Sequence, residues 1–271
     1  LVTTKNDNRI ITIHKQNEGV SSARNMGIEK AQGEYVIQID SDDWVEPTML
    51  EELYAEAIKQ NADMVICDFF IGLGENQVYH QQKPSLLEPK TVRKELFQHL
   101  HGGCWNKLIK KECFQGKVRF EESISLCEDK LFICETLKNV TKVAYLNKAF
   151  YHYEQNDDAS SLSKGQYTEE HYQQRLHICN LFKERIHWDN EEEAKTMETS
   201  LAKLMIEGAF KYSRFSSKTF KEKFHDYRGS IFQMKTEPLH IRILWYLSCI
   251  GFYRMSFQTE NRLVQFKRLF K

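Results

Sequence analysis

Along the chain, the pattern of hydrophobic and polar positions changes character once, near residue 165. Before that point, short apolar runs alternate with helical periodicities. Arg9 to His14 (Arg-Ile-Ile-Thr-Ile-His) reads as a short strand, followed by a polar loop, Lys15 to Gly19, that a glycine closes. Ser21 to Ala31 is predicted to be a helix with Ser21 or Ser22 as its cap. Tyr35 to Ile39 is a run of β-branched and aromatic residues that suits a buried strand. Glu46-Pro47 opens a second helix, and Met49, Leu50, Leu53, Ala57 and Ile58 supply its buried face. Asp63 to Phe70 is a third strand. This alternation predicts an α/β layer, a mostly parallel sheet flanked by helices.

The second half of this region is less regular. Gly72 to Gln82 reads as a loop or hairpin and Pro89 to Leu100 as a helix. Ser125 and Glu128 have capping-box spacing ahead of a helix from about Cys127 to Leu137. Lys142 to Asn147 and Phe150 to Glu154 read as two short strands. From Thr168 onward helical periodicity dominates, over roughly 168–186, 191–212, 218–228 and 239–253. The expected organisation is residues 1–165 as an α/β domain and 166–271 as an all-helical region, with the boundary near Lys164 to Tyr167.

Composition narrows the function classes. Basic and acidic residues balance at 38 each, so the chain as a whole carries no polyanion-binding charge and no nucleic-acid partner is expected. The balance hides a basic tail: Lys235 to Lys271 holds seven Lys/Arg against two Glu. Seven cysteines without C-x-x-C spacing fit reduced thiols in a cytoplasmic protein. The charge-free stretch Ile243 to Tyr253 is too short to span a bilayer.

Chemistry concentrates where the strand of Tyr35 to Ile39 meets Asp40-Ser41-Asp42-Asp43. Carboxylates crowded at a strand's end repel one another unless a cation or a set of donors compensates. Hard oxygen ligands suit Mg²⁺ or Mn²⁺, whose shells take substrate phosphates as well. An isolated acidic turn of this kind more often caps a helix; here the strand before it shifts the balance. Glu128-Asp129 is a second acidic pair, placed by the capping box at the third and fourth positions of its helix, where the dipole favours ionised carboxylates. Gly19 to Gly27 joins a small-residue loop to a helix start, and Arg24 adds a fixed cation there, so the junction can receive an anion, although Arg24 suits a solvated helix face equally well. Trp105, Tyr151 and Tyr153 could stack on a sugar or base, with packing the commoner role. His152 could ligate a metal, and is more often structural between two tyrosines.

These segments together resemble the core of family 2 glycosyltransferases with the GT-A fold. The resemblance rests on Gly19-x-Ser-x-Ala-Arg24-Asn25-x-Gly27, Ala31-x-Gly33-Glu34-Tyr35, Ile39-Asp40-Ser41-Asp42-Asp43, Trp105-Asn-Lys107, Glu128-Asp129 and Tyr151-x-Tyr153 followed by Ser160-Ser-Leu-Ser. It covers roughly residues 9 to 163. It implies a nucleotide-sugar donor, usually UDP-linked, and a divalent cation, Mn²⁺ or Mg²⁺, at Asp42 and Asp40, with His152 a further candidate ligand. It also implies donor contacts at Gly19, Arg24, Asn25, Asp40, Asp42 and Trp105. Asp129, with Glu128 beside it, would deprotonate an acceptor hydroxyl of a surface glycan or lipid-linked saccharide, inverting the anomeric centre. Family members begin with two further strands that hold the nucleotide base, and neither occurs in this sequence. The expectation is therefore an N-terminally incomplete domain, with a non-catalytic scaffold or binding fragment as the competing reading. The apolar residues Ile243, Leu244, Trp245, Leu247, Ile250 and Phe252, with Arg242, Arg254, Arg262, Lys267 and Arg268 around them, suggest that 239–271 rests on the inner face of an anionic membrane.

Overall fold

A computed structural model describes residues 7, 9–73, 76–115, 118–154, 168–212 and 214–268. The boundary expected at Lys164 to Tyr167 and the Ser160-Ser-Leu-Ser segment lie outside them, as do the side chains of Lys267 and Arg268.

The sheet is built around β3 (Met64–Leu73), a ten-residue strand. Its alternation sorts the core into two layers, because successive side chains point to opposite faces. Val65, Cys67 and Phe69 face α2 (Met49–Gln60), where they pack with Met49, Leu53, Ala57, Trp105 and Tyr151. Met64 and Ile66 face the other way, into a cluster with α3 (Pro89–Glu95) and α4 (Glu128–Thr136). That cluster continues without a break through Phe182, Leu201, Phe210, Phe220 and Tyr253 of the helical region. The change of sequence pattern near residue 165 is thus not a break in the hydrophobic core. The helices that follow are α5 (Glu169–Arg185), α6 (Glu191–Tyr212), α7 (Ser217–Phe224), α8 (Leu239–Leu247) and α9 (Tyr253–Arg268).

The α/β class and the helical C-terminal region are as expected, but the pairing is mixed rather than mostly parallel. The strand order is β1 (Tyr35–Val36), β5 (Lys107–Lys110), β3, β6 (Val143–Glu154), β2 (Trp44–Val45), with β4 (Asn76–His80) added to β3. Among the described residues, β3 and β6 pair in parallel, and the other four pairs are antiparallel. Connection length explains the split: a parallel pair needs a crossover, which α3 and α4 supply between β3 and β6, whereas the short link from β3 to β4 permits only a hairpin. The two strands expected at 142–147 and 150–154 are one strand, β6, whose register against β3 shifts at Cys67, Asp68 and Phe69.

Several local expectations change. Arg9 to His14 forms no strand, and Ile11 is 58% exposed. Among the described residues, the Tyr35–Ile39 run pairs only through Tyr35 and Val36. Helix α1 (Val20–Lys30) begins at Gly19, whose φ of 89° is open to glycine at no steric cost, and buries Ser21 and Ser22 instead of capping with them. Leu50 and Ile58 of α2 are exposed because the stripe contacting the sheet is the narrower set Met49, Leu53 and Ala57. The capping box at Ser125 does not form. Ser125 Oγ donates to Gln174 Oε1 at 3.1 Å. Cys127, in the left-handed region at φ 57°, precedes α4, so Glu128 and Asp129 are its first and second residues.

Candidate functional site

After β1 the chain turns back through Asp40 to Asp43, closed by Asp43 N–H donating to Asp40 O at 3.3 Å, and enters β2, which pairs with Tyr151 and His152 of β6. Tyr151 clamps this turn. Its hydroxyl donates to Asp43 Oδ2 at 2.5 Å and accepts from Asp40 N–H at 3.1 Å, while Glu154 N–H donates to Asp43 Oδ1 at 2.9 Å. Burial raises the Asp43 pKa; the Tyr151 and Glu154 hydrogen bonds oppose that, and Asp42 and Asp40 add to it. With both oxygens held by β6, Asp43 supports the turn. Replacing Tyr151 by Phe removes a donor and an acceptor at once and leaves the Asp43 carboxylate half satisfied. The expected loss is about 1–3 kcal/mol of unfolding free energy, read from the urea midpoint.

The second acidic pair meets the first through Arg24. Its Nη1 donates to Glu128 Oε1 at 2.8 Å and to Asp129 Oδ1 at 2.5 Å, and its Nη2 donates to Asp40 Oδ1 at 3.1 Å. One guanidinium thus joins carboxylates 16 and 105 positions away in sequence. The Arg24 side chain is 12% exposed. Burial opposes its charge, but Asp129, Asp40 and Glu128 prevail and leave its pKa above the ordinary value. Its Nε is buried without an acceptor among the described residues. Phe120 lies under the guanidinium at 5.4 Å.

Burial also raises the Asp129 pKa, to about 6; Arg24 and a Cys104 backbone hydrogen bond pull it down, whereas Glu128 and Asp40 push it up. A carboxylate of that basicity at the first turn of a helix is ionised at neutral pH and takes a proton more readily than an ordinary aspartate. The 101–104 loop beside it is fixed by Lys107. This buried ammonium donates to His101 O at 2.9 Å, Gly103 O at 2.7 Å and Asn106 Oδ1 at 2.7 Å. Desolvation lowers the Lys107 pKa to about 8.

The remaining sequence candidates fall into other roles. Asn25 spends its carboxamide on the protein: Oδ1 accepts from Phe120 N–H at 2.8 Å, and Nδ2 donates to Phe120 O and Glu122 Oε1, both at 3.0 Å. Trp105 is 3% exposed and stacks on Tyr151 at 4.4 Å, so it forms the floor beneath the acidic turn, not an open platform. His152 is likewise closed off. Its Nδ1 faces Gln77 Oε1 at 2.8 Å and its Nε2 faces Glu46 Oε1 at 2.9 Å, and its ring stacks between Trp44 and Phe70. Both nitrogens are taken by protein, which removes it from the candidate metal ligands. Gly19 caps α1 with open space around it. Asp42 is exposed at the apex of the turn.

Sequence reasoning missed the clamp by Tyr151 and the anchor by Lys107. The alternation Tyr151-His152-Tyr153 carried a hint, since Tyr151 is buried on the α2 face of the sheet with Trp105. Among the described residues no group of three or more His, Cys, Asp or Glu could hold a metal ion alone. The protein side of a cation site here is at most Asp40 and Asp42. Carboxylate oxygens are the donors that Mg²⁺ or Mn²⁺ takes one or two of, with substrate phosphates and water completing the shell; Asp40 Oδ1 already accepts from Arg24 Nη2 and Gln38 Nε2, each at 3.1 Å.

Residues 2–116 match the family described as Glycosyl transferase family 2. The chain is 31% identical over 163 residues to the uncharacterized glycosyltransferase EpsJ of Bacillus subtilis, covering 57% of this chain and 47% of that protein. It is 32% identical over 151 residues to the cholesterol galactosyltransferase of Borreliella burgdorferi, covering 51% and 42%. The chain therefore spans a little under half the length of these relatives. Among solved structures it is similar to S. aureus TarS 1-349 in complex with UDP-GlcNAc. That likeness has a TM-score of 0.55 at 18% identity and covers 92% of this chain and 74% of the other, which is a likeness of fold, here GT-A.

Proposed function

We propose that this member of glycosyltransferase family 2 moves a sugar from a nucleotide-sugar donor, with UDP as the favoured nucleotide, to a hydroxyl of a surface-glycan or lipid-linked saccharide acceptor. The observation that carries the proposal is the meeting of Asp40, Glu128 and Asp129 on Arg24. A transferase of this kind needs an ionised base within reach of the acceptor proton and compensation for charge growing on the leaving diphosphate. Asp129 is the base. It takes the hydroxyl proton as the acceptor oxygen bonds to the anomeric carbon, and the bond to the diphosphate breaks on the opposite face, inverting the centre. Arg24 holds Asp129 and Glu128 in place and keeps the three carboxylates compatible. Asp40 and Asp42 would hold Mn²⁺ or Mg²⁺, which when bound supplies positive charge to the diphosphate.

A second reading, a non-catalytic binding fold, draws on the two-residue β1 and the unpaired Arg9 to His14, which leave that side of the sheet sparsely built. Release of UDP from UDP-GlcNAc in the presence of Mn²⁺ separates the two. The transferase reading predicts turnover by the wild-type chain and a fall of roughly 10²-fold or more in Asp42→Ala, since several kcal/mol of charge stabilisation go with the cation. Nucleotide binding without turnover would establish the second reading.

The proposed peripheral membrane contact would rest on Leu239, Ile243, Phe252 and Met255, which are exposed, while Leu244, Trp245 and Tyr253 are packed inside. Among the described residues no helix is long and apolar enough to cross a membrane.

A further inference from the structure

An opening that none of Asp40, Asp42, Glu128 and Asp129 lines lies between the sheet and the helical region. It measures about 890 Å³ and is walled by the ends of β3 and β4, the 96–101 segment, α6 and the 233–236 turn. Cys127 and Lys130, on either side of Glu128-Asp129 in sequence, line it too. Its volume exceeds the needs of a single sugar ring and suits an extended ligand.

The charge of the lining is one-sided once its internal pairs are counted. Both of its glutamates are already matched: Glu192 by Lys94 at 3.5 Å, and Glu207 by Lys203 and Arg175, each at 3.8 Å. Three of its lysines, Lys130, Lys195 and Lys235, form no ion pair within 4 Å among the described residues, and Lys130 lies over the Phe97 ring at 5.7 Å. In a chain with equal numbers of basic and acidic residues, three uncompensated ammonium groups around one opening are a local excess. Thr196, Thr199 and Ser200 share one face of α6 at spacings of three and four and line the same space, the Thr196 hydroxyl donating to Glu192 O at 3.0 Å. Phe97 and Leu204 add apolar wall.

We propose that this cleft binds the acceptor, and that the acceptor is a polyhydroxyl chain carrying phosphate groups. The lysines pair with the phosphates as point charges, and the α6 hydroxyls meet those of the sugar or polyol. Lys130, next to Asp129 in α4, is the lining residue that follows the proposed base directly in sequence. This inference rests on the transferase reading for its functional meaning, but its test does not depend on turnover.

Binding of a fluorescein-labelled ribitol phosphate oligomer and of a neutral dextran oligomer of similar length is followed by fluorescence anisotropy, at low and at physiological salt. Wild type is compared with the double variant Lys195→Glu/Lys235→Glu, whose side chains are exposed, so that folding is preserved and checked by the thermal midpoint. The phosphate oligomer is expected to bind wild type more tightly than the dextran does, to weaken with salt, and to lose about tenfold or more in affinity in the variant. UDP release without acceptor stays at the wild-type rate in the variant. Equal affinity of wild type and variant for the phosphate oligomer, or dextran binding as tight as phosphate-oligomer binding, would overturn the proposal. Loss of UDP release in wild type with the binding pattern intact would instead refute the transferase reading.

Discussion

Asp129→Asn is expected to lower kcat for glycosyl transfer on the order of 10²–10⁴-fold, with the KM for the donor little changed. The carboxamide keeps the size and an acceptor oxygen for Arg24, but it cannot take a proton at any accessible pH, and general-base catalysis contributes about that factor. The pH dependence follows from the same group. Asp129 is buried, with its pKa raised to about 6, so wild-type kcat should rise with pH through that region and level off above pH 7; the variant should show no such limb. Stability moves in the opposite sense. Between the ordinary aspartate value and about 6, the folded chain keeps a proton that the unfolded chain has released, so this group's contribution to stability falls as pH rises through that window. The asparagine variant is thus expected to be at least as stable as wild type at pH 8. A variant that keeps full kcat, or a wild-type rate flat from pH 5 to 8, would contradict the assignment.

The other large effect is on stability. Arg24→Met keeps most of the volume but leaves Asp40, Glu128 and Asp129 without their shared cation. Removing one partner of a largely buried ion pair typically costs about 3–5 kcal/mol, and the partial exposure of Asp40 argues for the lower end. At pH 8 the expected loss is therefore about 3 kcal/mol. It should shrink by pH 5, where Asp129, released from Arg24 and still beside Glu128, is protonated. Urea midpoints at the two pH values test this. A loss of equal size at both would mean that Arg24 acts by packing on Phe120 and not by balancing charge.

Much of this site could be read from the chain. The acidic turn after an apolar run, the Arg24 segment and the Glu128-Asp129 pair stand out because a strand end and a helix start are local features. Their meeting could not be read, since it depends on how α1, β1 and α4 are carried to one place by β3 and its partners. Arg24 shows the limit well. Its position at a helix start suits a ligand anion or a solvated face equally, and the anions it binds are the protein's own carboxylates. Trp105, Asn25 and His152 show a related limit: each has chemistry suited to a ligand, and in each case neighbouring protein groups already use it. Ser125 had the right spacing for a capping box, but spacing says nothing of the left-handed turn at Cys127 that shifts α4 by two positions. Strand direction was hidden as well, because a run of β-branched residues reads the same whichever way its neighbour points.

The central claim is that Asp40 and Asp129 belong to one electrostatic site. Carboxyl ¹³C NMR titration of Asp129, in wild type and in Asp40→Asn, tests it most directly. In wild type the Asp129 value should lie near 6. Removing the Asp40 charge takes away a repulsive neighbour and frees Arg24 to serve Asp129 and Glu128 alone, so the value should fall. An Asp129 titration that is identical in the two proteins would separate the acidic spots and contradict the account.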